Sequence, residues 1–378
     1  MTGDLPSFND WASHVVEGNH LYMFGGCRPS DSDPTSDFYR WDTQSMRWSN
    51  LTNATRFLSN PTNPFGDQPV TMPLPRLHQP ALAPYYVGHK KFMLLFGGRN
   101  KKALTSDLVA VNLDDLTWFI VQVEGDPVIP RRSSSMVTVD NRVFIFGGSG
   151  CRGRGDSKIL NTYCVAEYTN HDMKWRWVVR DEPLPEHVPS LGQGSNATSV
   201  YGGKKILLTP GRDGDDDAIS LSGDNCILFH TTNYTFQTQS HTAGDFPKAM
   251  AWYTIGSLPP VHPGGGSPGR VRKATAKAAS QRSVASSSSS GQGGSNAFAT
   301  PSVFISGWIR YSGRYLVPEL WKYSLPPDEL CECLNIREKL WALDLDMQSF
   351  VVVGGRSFLL GRGSDNDLVW NTCVEIFR

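Results

Sequence analysis

The sequence contains no apolar run of about 18 residues, so no segment reads as a membrane-spanning helix. It also lacks an excess of either charge. Its 36 basic and 36 acidic residues cancel, which removes the global attraction to nucleic acid or to an anionic membrane. The expectation is therefore no nucleic-acid partner. The opening MTGDLPSFNDW has neither a basic start nor an apolar stretch and does not read as a signal peptide. No even set of cysteines suggests a disulfide framework: Cys27, Cys151, Cys164, Cys226, Cys331, Cys333 and Cys373 are odd in number and scattered. That usage suits a reducing compartment, cytoplasmic or nuclear. The N-x-S/T matches at Asn50, Asn53, Asn196 and Asn233 read, without a secretion signal, as chance.

What is present is repetition. A short apolar run ending in glycine recurs as LYMFGG (Leu21 to Gly26), FMLLFGG (Phe92 to Gly98) and VFIFGG (Val143 to Gly148). Looser copies are ILLTPG (Ile206 to Gly211), SVFISGW (Ser302 to Trp308) and SFLLGRG (Ser357 to Gly363). Apolar throughout rather than alternating, each run predicts a strand buried on both faces, and its glycines permit a sharp turn. A second element follows at variable distance. In DFYRWDTQSMRW, DLVAVNLDDLTW and CVAEYTNHDMKW a large residue (Trp41, Val111, Tyr168) precedes a tryptophan (Trp48, Trp118, Trp175) by seven positions, and Phe229 precedes Phe236 likewise. That interval predicts strand, tight turn and strand, with both large side chains packed between neighbouring sheets. A third element punctuates the chain: GDLP at Gly3, GDQP at Gly66, GDP at Gly125 and GDFP at Gly244, three of them followed by Pro75-Arg76, Pro130-Arg131 or Pro247-Lys248.

A glycine doublet after an apolar strand, then a spaced aromatic and tryptophan at intervals of about fifty residues, resembles the Kelch family. The resemblance implies an all-β, six-bladed Kelch-type β-propeller in one domain spanning 1–378, with blades near 6–65, 66–126, 127–186, 187–243, 244–346 and 347–378. In 318–350, ELWKYSL is expected to be the third strand of blade five, with part of LWALDLDMQSF as its fourth. Closure has two solutions: Met1 to Leu5 adds an outer stub to the last blade, or that blade has three strands. The low-complexity segment 257–299, rich in Ser and Gly, has too few apolar groups to offset ordering entropy and reads as a disordered insertion in the first hairpin of blade five. Its five basic residues (Arg270, Arg272, Lys273, Lys277, Arg282) suit a kinase target, an anionic contact or an import signal, but an expansion without a role is the weightier reading.

Some propellers of this kind are enzymes. Galactose oxidase and its relatives hold copper with two histidines and two tyrosines, one of them cross-linked to cysteine. The nine histidines here (His14, His20, His78, His89, His171, His187, His230, His241, His262) show neither an adjacent pair nor metal-type spacing. His14 and His78 are expected on first strands near the central channel. The Glu/Asp/His cluster of nitrile-specifier propellers, a nucleophile elbow and a P-loop are not found. Cys331 and Cys333 form a lone C-x-C, and the Gly-rich stretch Cys151 to Asp156 follows a strand instead of opening a helix. No cofactor, metal or catalytic residue is therefore expected.

The sharper pattern is arginine. Arg28, Arg99, Arg152, Arg212, Arg310 and Arg362 each fall shortly after, or beside, the marker glycine of a repeat. Such loops are expected to share the face around the channel mouth. The resemblance implies that arginines there grip acidic peptides, for which the planar guanidinium fork is suited. The competing reading braces each blade by pairing these arginines with Asp37 and Asp107. GRDGDDD (Gly211 to Asp217) and CRGRG (Cys151 to Gly155) would give the face both signs and so orient a partner. The expected function is a non-enzymatic scaffold for a partner protein or acidic peptide. The alternatives are a metal-dependent propeller oxidase or lyase, and sugar or small-molecule binding in the channel.

Overall fold

The computed structural model describes residues 2–7, 9–28, 30, 32–59, 68–151, 157–169, 174–211, 225–240, 243–244, 250–258, 302–311, 315–324, 336–342, 346–353, 356–362 and 372–377; from residue 239 onward it describes the strands only. The chain is all β, with one turn of 3-10 helix at Tyr201–Gly203 among the described residues. The strands form six main sheets and a three-stranded ribbon. Named from the innermost strand outward, the first sheet is Ser13–Glu17, His20–Phe24, Phe38–Asp42 and Arg47–Asn50. The second is Ala81–Val87, Lys90–Phe96, Leu108–Asn112 and Thr117–Val121; the third is Ser135–Val139, Arg142–Phe146, Thr162–Thr169 and Lys174–Pro183. The fourth is Asn196–Val200, Lys205–Thr209, Asn225–His230 and Phe236–Ser240; the fifth is Met250–Leu258, Ser302–Tyr311, Tyr315–Ser324 and Ile336–Ala342. Asp346–Val353, Arg356–Arg362 and Thr372–Phe377 make the sixth.

Each innermost strand touches the innermost strands of the sheets before and after it, and that of the sixth touches that of the first, so the contacts close a cycle. This is the architecture of a β-propeller. The second strands are the apolar runs read in the sequence, and they are buried on both faces: Leu21 to Phe24, Met93 to Phe96 and Val143 to Phe146 lie wholly in the core. The seven-residue interval also has a simple cause. Trp41 faces Trp48, Val111 faces Trp118, Tyr168 faces Trp175 and Phe229 faces Phe236 as direct partners across the third-to-fourth-strand hairpin. Cross-strand pairs of this kind are the unit that stabilises a sheet. They also wedge neighbours apart. The Trp175 ring lies 5.0 Å from Tyr85 of the second sheet, and Phe229 lies 5.1 Å from Phe146 of the third. The core is accordingly divided by sheet interface, with one apolar cluster between sheets one and two, another between two and three, and a third between three and four.

The punctuating motifs do more than turn the chain. Thr2–Gly3 pairs in parallel with Arg47–Asn50, Val123–Glu124 with Lys174–Pro183 and Ala243–Gly244 with Ile336–Ala342, so a short segment covers the outer edge of the sheet that follows it. An uncovered edge would invite pairing with another chain. The aspartate of the motif adds a latch: Asp4 accepts the Asn50 amide at 3.2 Å, and Asp126 pairs with Arg180 at 2.7 Å. In the second sheet this cover is Arg56–Phe57, itself paired to Val70–Thr71, so residue 56 already belongs to sheet two. The closure alternative in which the N-terminal stub completes the last sheet is therefore overturned. Thr2–Gly3 belongs to the first sheet, and the sixth has three strands among the described residues. In sheet five the third and fourth strands fall at Tyr315–Ser324 and Ile336–Ala342. The strand Met250–Leu258 takes in residues 257 and 258; 259–301, nearly all of the expected insertion, lies outside the described residues.

The glycine doublets connect one sheet to the next. Gly26, Gly98 and Gly148 donate their amides to the carbonyls of Leu77, Arg131 and Gly192, each in the segment leading into the next sheet. Gly25, Gly97 and Gly147 instead bond the entry of the third strand of their own sheet, through the carbonyls of Asp37 and Asp107, each one residue before it, and of Thr162, its first residue. A β-carbon on Gly97, at φ 65°, would lie 2.4 Å from the Arg131 carbonyl oxygen, which no side chain can occupy. Gly18 also has a positive φ, 57°, but nothing lies within 4 Å of the corresponding position. The two sites separate backbone strain from collision. Gly18→Ala should cost only the left-handed penalty of about 1–2 kcal/mol, whereas Gly97→Ala should cost at least ~3 kcal/mol by denaturant unfolding; equal losses would show that the close approach does not exist.

Candidate functional site

Because each second strand runs antiparallel to the innermost strand, the glycine doublet and the segment leading into the sheet meet at the same end. Ser13 pairs with Phe24, Ala81 with Phe96 and Ser135 with Phe146. The lead-in segments of successive sheets are joined there into a belt. Gln79 donates its amide to Trp11, Ser133 to Gln79 and Gly194 to Ser133, at 3.3, 3.0 and 2.8 Å. These four residues hold the same place, two positions before the innermost strand, and all have positive φ: 56°, 56°, 54° and 74°. Left-handed backbone in residues as large as Trp and Gln is uncommon and persists only where surroundings fix it. The belt supplies that fixation.

One position earlier stand Asp10, His78, Arg132 and Gln193. Asp10 bridges Cys27, His78 bridges Arg99 and Arg132 pairs with Ser149, so the residue just after each glycine doublet is held to this row. His78 was expected on a first strand; it lies three residues before one, fixed by its backbone bridge to Arg99. His14 does lie on an innermost strand. Burial lowers both imidazoles to a pKa of about 4, and at His78 the nearby Arg132 and Arg99 add to the effect. The Trp11 ring, 48% exposed, lies 5.8 Å from the His78 ring.

The six arginines picked from the sequence do not share one structural position. Arg99 directly follows its doublet, but in the first sheet that place belongs to the buried Cys27 and in the third to Ser149. Arg28 is one residue further out, and both Arg28 and Arg99 are exposed at the loop-bearing end. Arg152 and Arg212 lie outside the described residues. Arg310 is a correction: it sits inside the strand Ser302–Tyr311, opposite Leu316, because that hairpin continues past the marker glycine. Arg362 ends the strand Arg356–Arg362, opposite Asp346. Counting from glycine missed these differences because loop length varies while strand register does not.

Among the described residues, Asp37 and Asp107 do not pair with Arg28 or Arg99. Asp37 accepts from Asn9 at 2.9 Å, and Asp107 accepts from Thr105 at 2.7 Å. The bracing arginine is Arg131, fully buried, which pairs with Asp181 and donates to the carbonyl of Gly147 at 3.1 Å. Pro130-Arg131 had been read only as punctuation. Cys164 lies beside this pair, 3.4 Å from Asp181, and burial pushes its thiol up to about 12, so it is not a nucleophile at neutral pH. Lys101 joins the loops of sheets two and one through Asp33 at 2.9 Å. A cavity of about 350 Å³ opens beside it, floored by Leu77, Leu95 and Val109 and rimmed by Arg76, Lys101 and Lys102. No three His, Cys, Asp or Glu side chains converge as metal ligands among the described residues, and no helix there is long and apolar enough to cross a membrane.

A ring of sheets stitched through glycine doublets, with its loops belted at one end, defines a Kelch-type propeller. The chain belongs to the Kelch-repeat family: residues 62–258 match the KLHDC2/KLHL20/DRC7 Kelch-repeats domain, and residues 12–53 match the Kelch motif. It is 28% identical over 222 residues to the flagellar outer-arm dynein alpha chain of Chlamydomonas reinhardtii, covering 56% of this chain and 4% of that one. It is 25% identical over 212 residues to human host cell factor 1, covering 53% and 10%, and 25% identical over 211 residues to acyl-CoA-binding domain-containing protein 5 of Arabidopsis thaliana, covering 55% and 28%. The matched region is thus a small part of each of these relatives.

The lowered histidines make stability depend on pH with a definite sign. Unfolded histidines protonate near 6.5, whereas His14 and His78 resist protonation until about 4, so the unfolded chain binds more protons between these values. Stability is complete above about pH 6.5 and falls as pH drops through this window, on the order of 2 kcal/mol or more by pH 5. Urea unfolding at pH 7.5 and 5 measures it. His14→Phe should roughly halve the dependence, His78 keeping the rest, and an unchanged midpoint in the parent protein would contradict the lowered imidazoles.

Proposed function

We propose that this propeller is a non-enzymatic scaffold that binds a partner protein or acidic peptide through its loop-bearing end. The observation that carries the reading is that Arg28 and Arg99 are exposed at that end and make no ion pair among the described residues, while the carboxylates expected to hold them, Asp37 and Asp107, accept bonds from Asn9 and Thr105. The backbone beneath the two arginines is held, Arg99 by its bridge to His78 and Arg28 through the neighbouring Cys27 bridged to Asp10, so a partner orders the two side chains but not the loops that carry them. Arg152 and Arg212 extend the same proposal to the loops of sheets three and four. Arg310, inside the strand Ser302–Tyr311, and Arg362, at the end of Arg356–Arg362, extend it to sheets five and six. The balanced net charge supports selective docking in place of broad polyanion binding.

The test begins with a partner co-purified from the native source and identified. Replacing Arg28 and Arg99 together with alanine should weaken its binding at least tenfold, since a hydrogen bond to a charged group contributes about 1.5–3 kcal/mol. The melting temperature should stay within about 2 °C of the parent, as for other surface changes. Undiminished affinity, or a large loss of stability, would return these arginines to a structural role.

A further inference from the structure

Four positions before the innermost strand, the first three sheets carry Asn9, Leu77 and Arg131. In sheets one and three this side chain serves the same two places. Asn9 donates to the carbonyl of Gly25 at 3.2 Å and to the Asp37 carboxylate at 2.9 Å. Arg131 donates to the carbonyl of Gly147 at 3.1 Å and to the Thr162 hydroxyl at 3.3 Å. The counterparts in sheet two are Gly97 and Asp107, because the Gly97 amide bonds the Asp107 carbonyl as Gly25 bonds Asp37 and Gly147 bonds Thr162. Leu77 has no donor to give them. Among the described residues, the carbonyl of the buried Gly97 accepts no hydrogen bond, and the Asp107 carboxylate accepts only the Thr105 hydroxyl, at 2.7 Å. The cavity of about 350 Å³ opens at this place, lined by Leu77, Gly97, Asp107 and Val109. Val109 stands where sheet three has Cys164, beside the pair of Arg131 and Asp181. The cavity thus occupies the space that the next repeat fills with its own guanidinium. Buried carbonyls nearly always have a donor, so a repeat that omits its own leaves room for one from outside.

We propose that this cavity between sheets one and two binds a small zwitterion, an α-amino acid with an apolar side chain. The ammonium donates to the Gly97 carbonyl and the Asp107 carboxylate, the counterparts of the groups that Asn9 serves in sheet one. The side chain lies on Leu77, Leu95 and Val109, each at most 4% exposed. The carboxylate is turned to the rim, where Arg76 and Lys102 are exposed and make no ion pair among the described residues, while Lys101 is held by Asp33. A bare amine meets that rim with the wrong sign, and a bare acid leaves the carbonyl without its donor, so the site selects the molecule that carries both charges. The volume lies at the small end of ligand pockets, which suits a single amino acid better than a nucleotide-sized cofactor. The site does not depend on the scaffold reading.

Calorimetric titration of L-leucine into the full chain tests it, with isoamylamine, isocaproate and glycine as probes that lack the carboxylate, the ammonium and the apolar side chain. The expected result is saturable binding of one leucine per chain, weakened at least tenfold in each of the three probes. Leu77→Asn copies sheet one and should abolish binding by supplying the missing donor. Asp107→Asn, an exposed change that keeps an acceptor for Thr105, should weaken leucine at least tenfold at an unaltered melting temperature, and it decides the matter if Leu77→Asn does not fold. Leucine without saturable binding at millimolar concentration, or with binding undiminished by Asp107→Asn, would overturn the proposal. So would isoamylamine or isocaproate binding as tightly as leucine.

Discussion

The amide of the second glycine in each doublet, pointed at a carbonyl of the following sheet, is the contact on which the molecule depends. It is two-way. Gly26 donates to Leu77, and the Leu77 amide returns to the carbonyl of Thr35; Gly98 and Arg131 repeat the exchange through Thr105. The backbone of Leu77 or Arg131 is therefore tied to the preceding sheet before its own innermost strand begins. Only a missing β-carbon lets the two chains come this close, which is why Gly25 and Gly97 precede the donors. Apolar wedging by Trp118, Trp175 and Phe229 supplies the bulk of the attraction between sheets, but it has no direction; the glycine strap fixes the height of each sheet against the next.

From that constraint the arrangement of the loop-bearing end follows. Once the straps fix the lead-in segments, the residues two positions before the innermost strands of sheets one to four come close enough to bond one another, and the belt through Trp11, Gln79, Ser133 and Gly194 runs along the loop-bearing end. The belt holds bulky residues in left-handed backbone and presents the row behind it, Asp10, His78, Arg132 and Gln193, at fixed spacing. A repeat architecture thus separates tasks: a fixed spacing within each strand pair builds the ring, while the residue in this row differs from repeat to repeat.

Most of the ring was legible in the sequence because it is written in spacing. The glycine doublets, the apolar runs before them and the seven-residue interval each correspond to a backbone relation, namely a strap, a doubly buried strand and a cross-strand pair, and such relations leave periodic traces. The outer cover was legible only as punctuation: the Gly-Asp motifs marked its places, but the parallel pairing of Thr2–Gly3 and Val123–Glu124 with strands some fifty residues onward leaves no trace beside them. The site was legible only in part. Arginines near the marker glycine were visible, but their register was hidden by loops of unequal length, so Arg28 and Arg99 fall at different depths and Arg310 lies within a strand. Arg131 looked like punctuation because its partner, Asp181, is fifty residues away on a fourth strand. Trp11 gave no local signal, and His78 was expected near the channel but on a strand; only the belt, a contact among repeats, brings the two rings together.

Native-state hydrogen exchange at the Gly26, Gly98 and Gly148 amides tests the central claim most directly. If these amides bridge consecutive sheets, they open only when the ring itself opens, and they should exchange with the free energy of global unfolding although they lie at turns. Exchange at the rate of ordinary exposed loops, while the second strands beside them stay protected, would contradict the account.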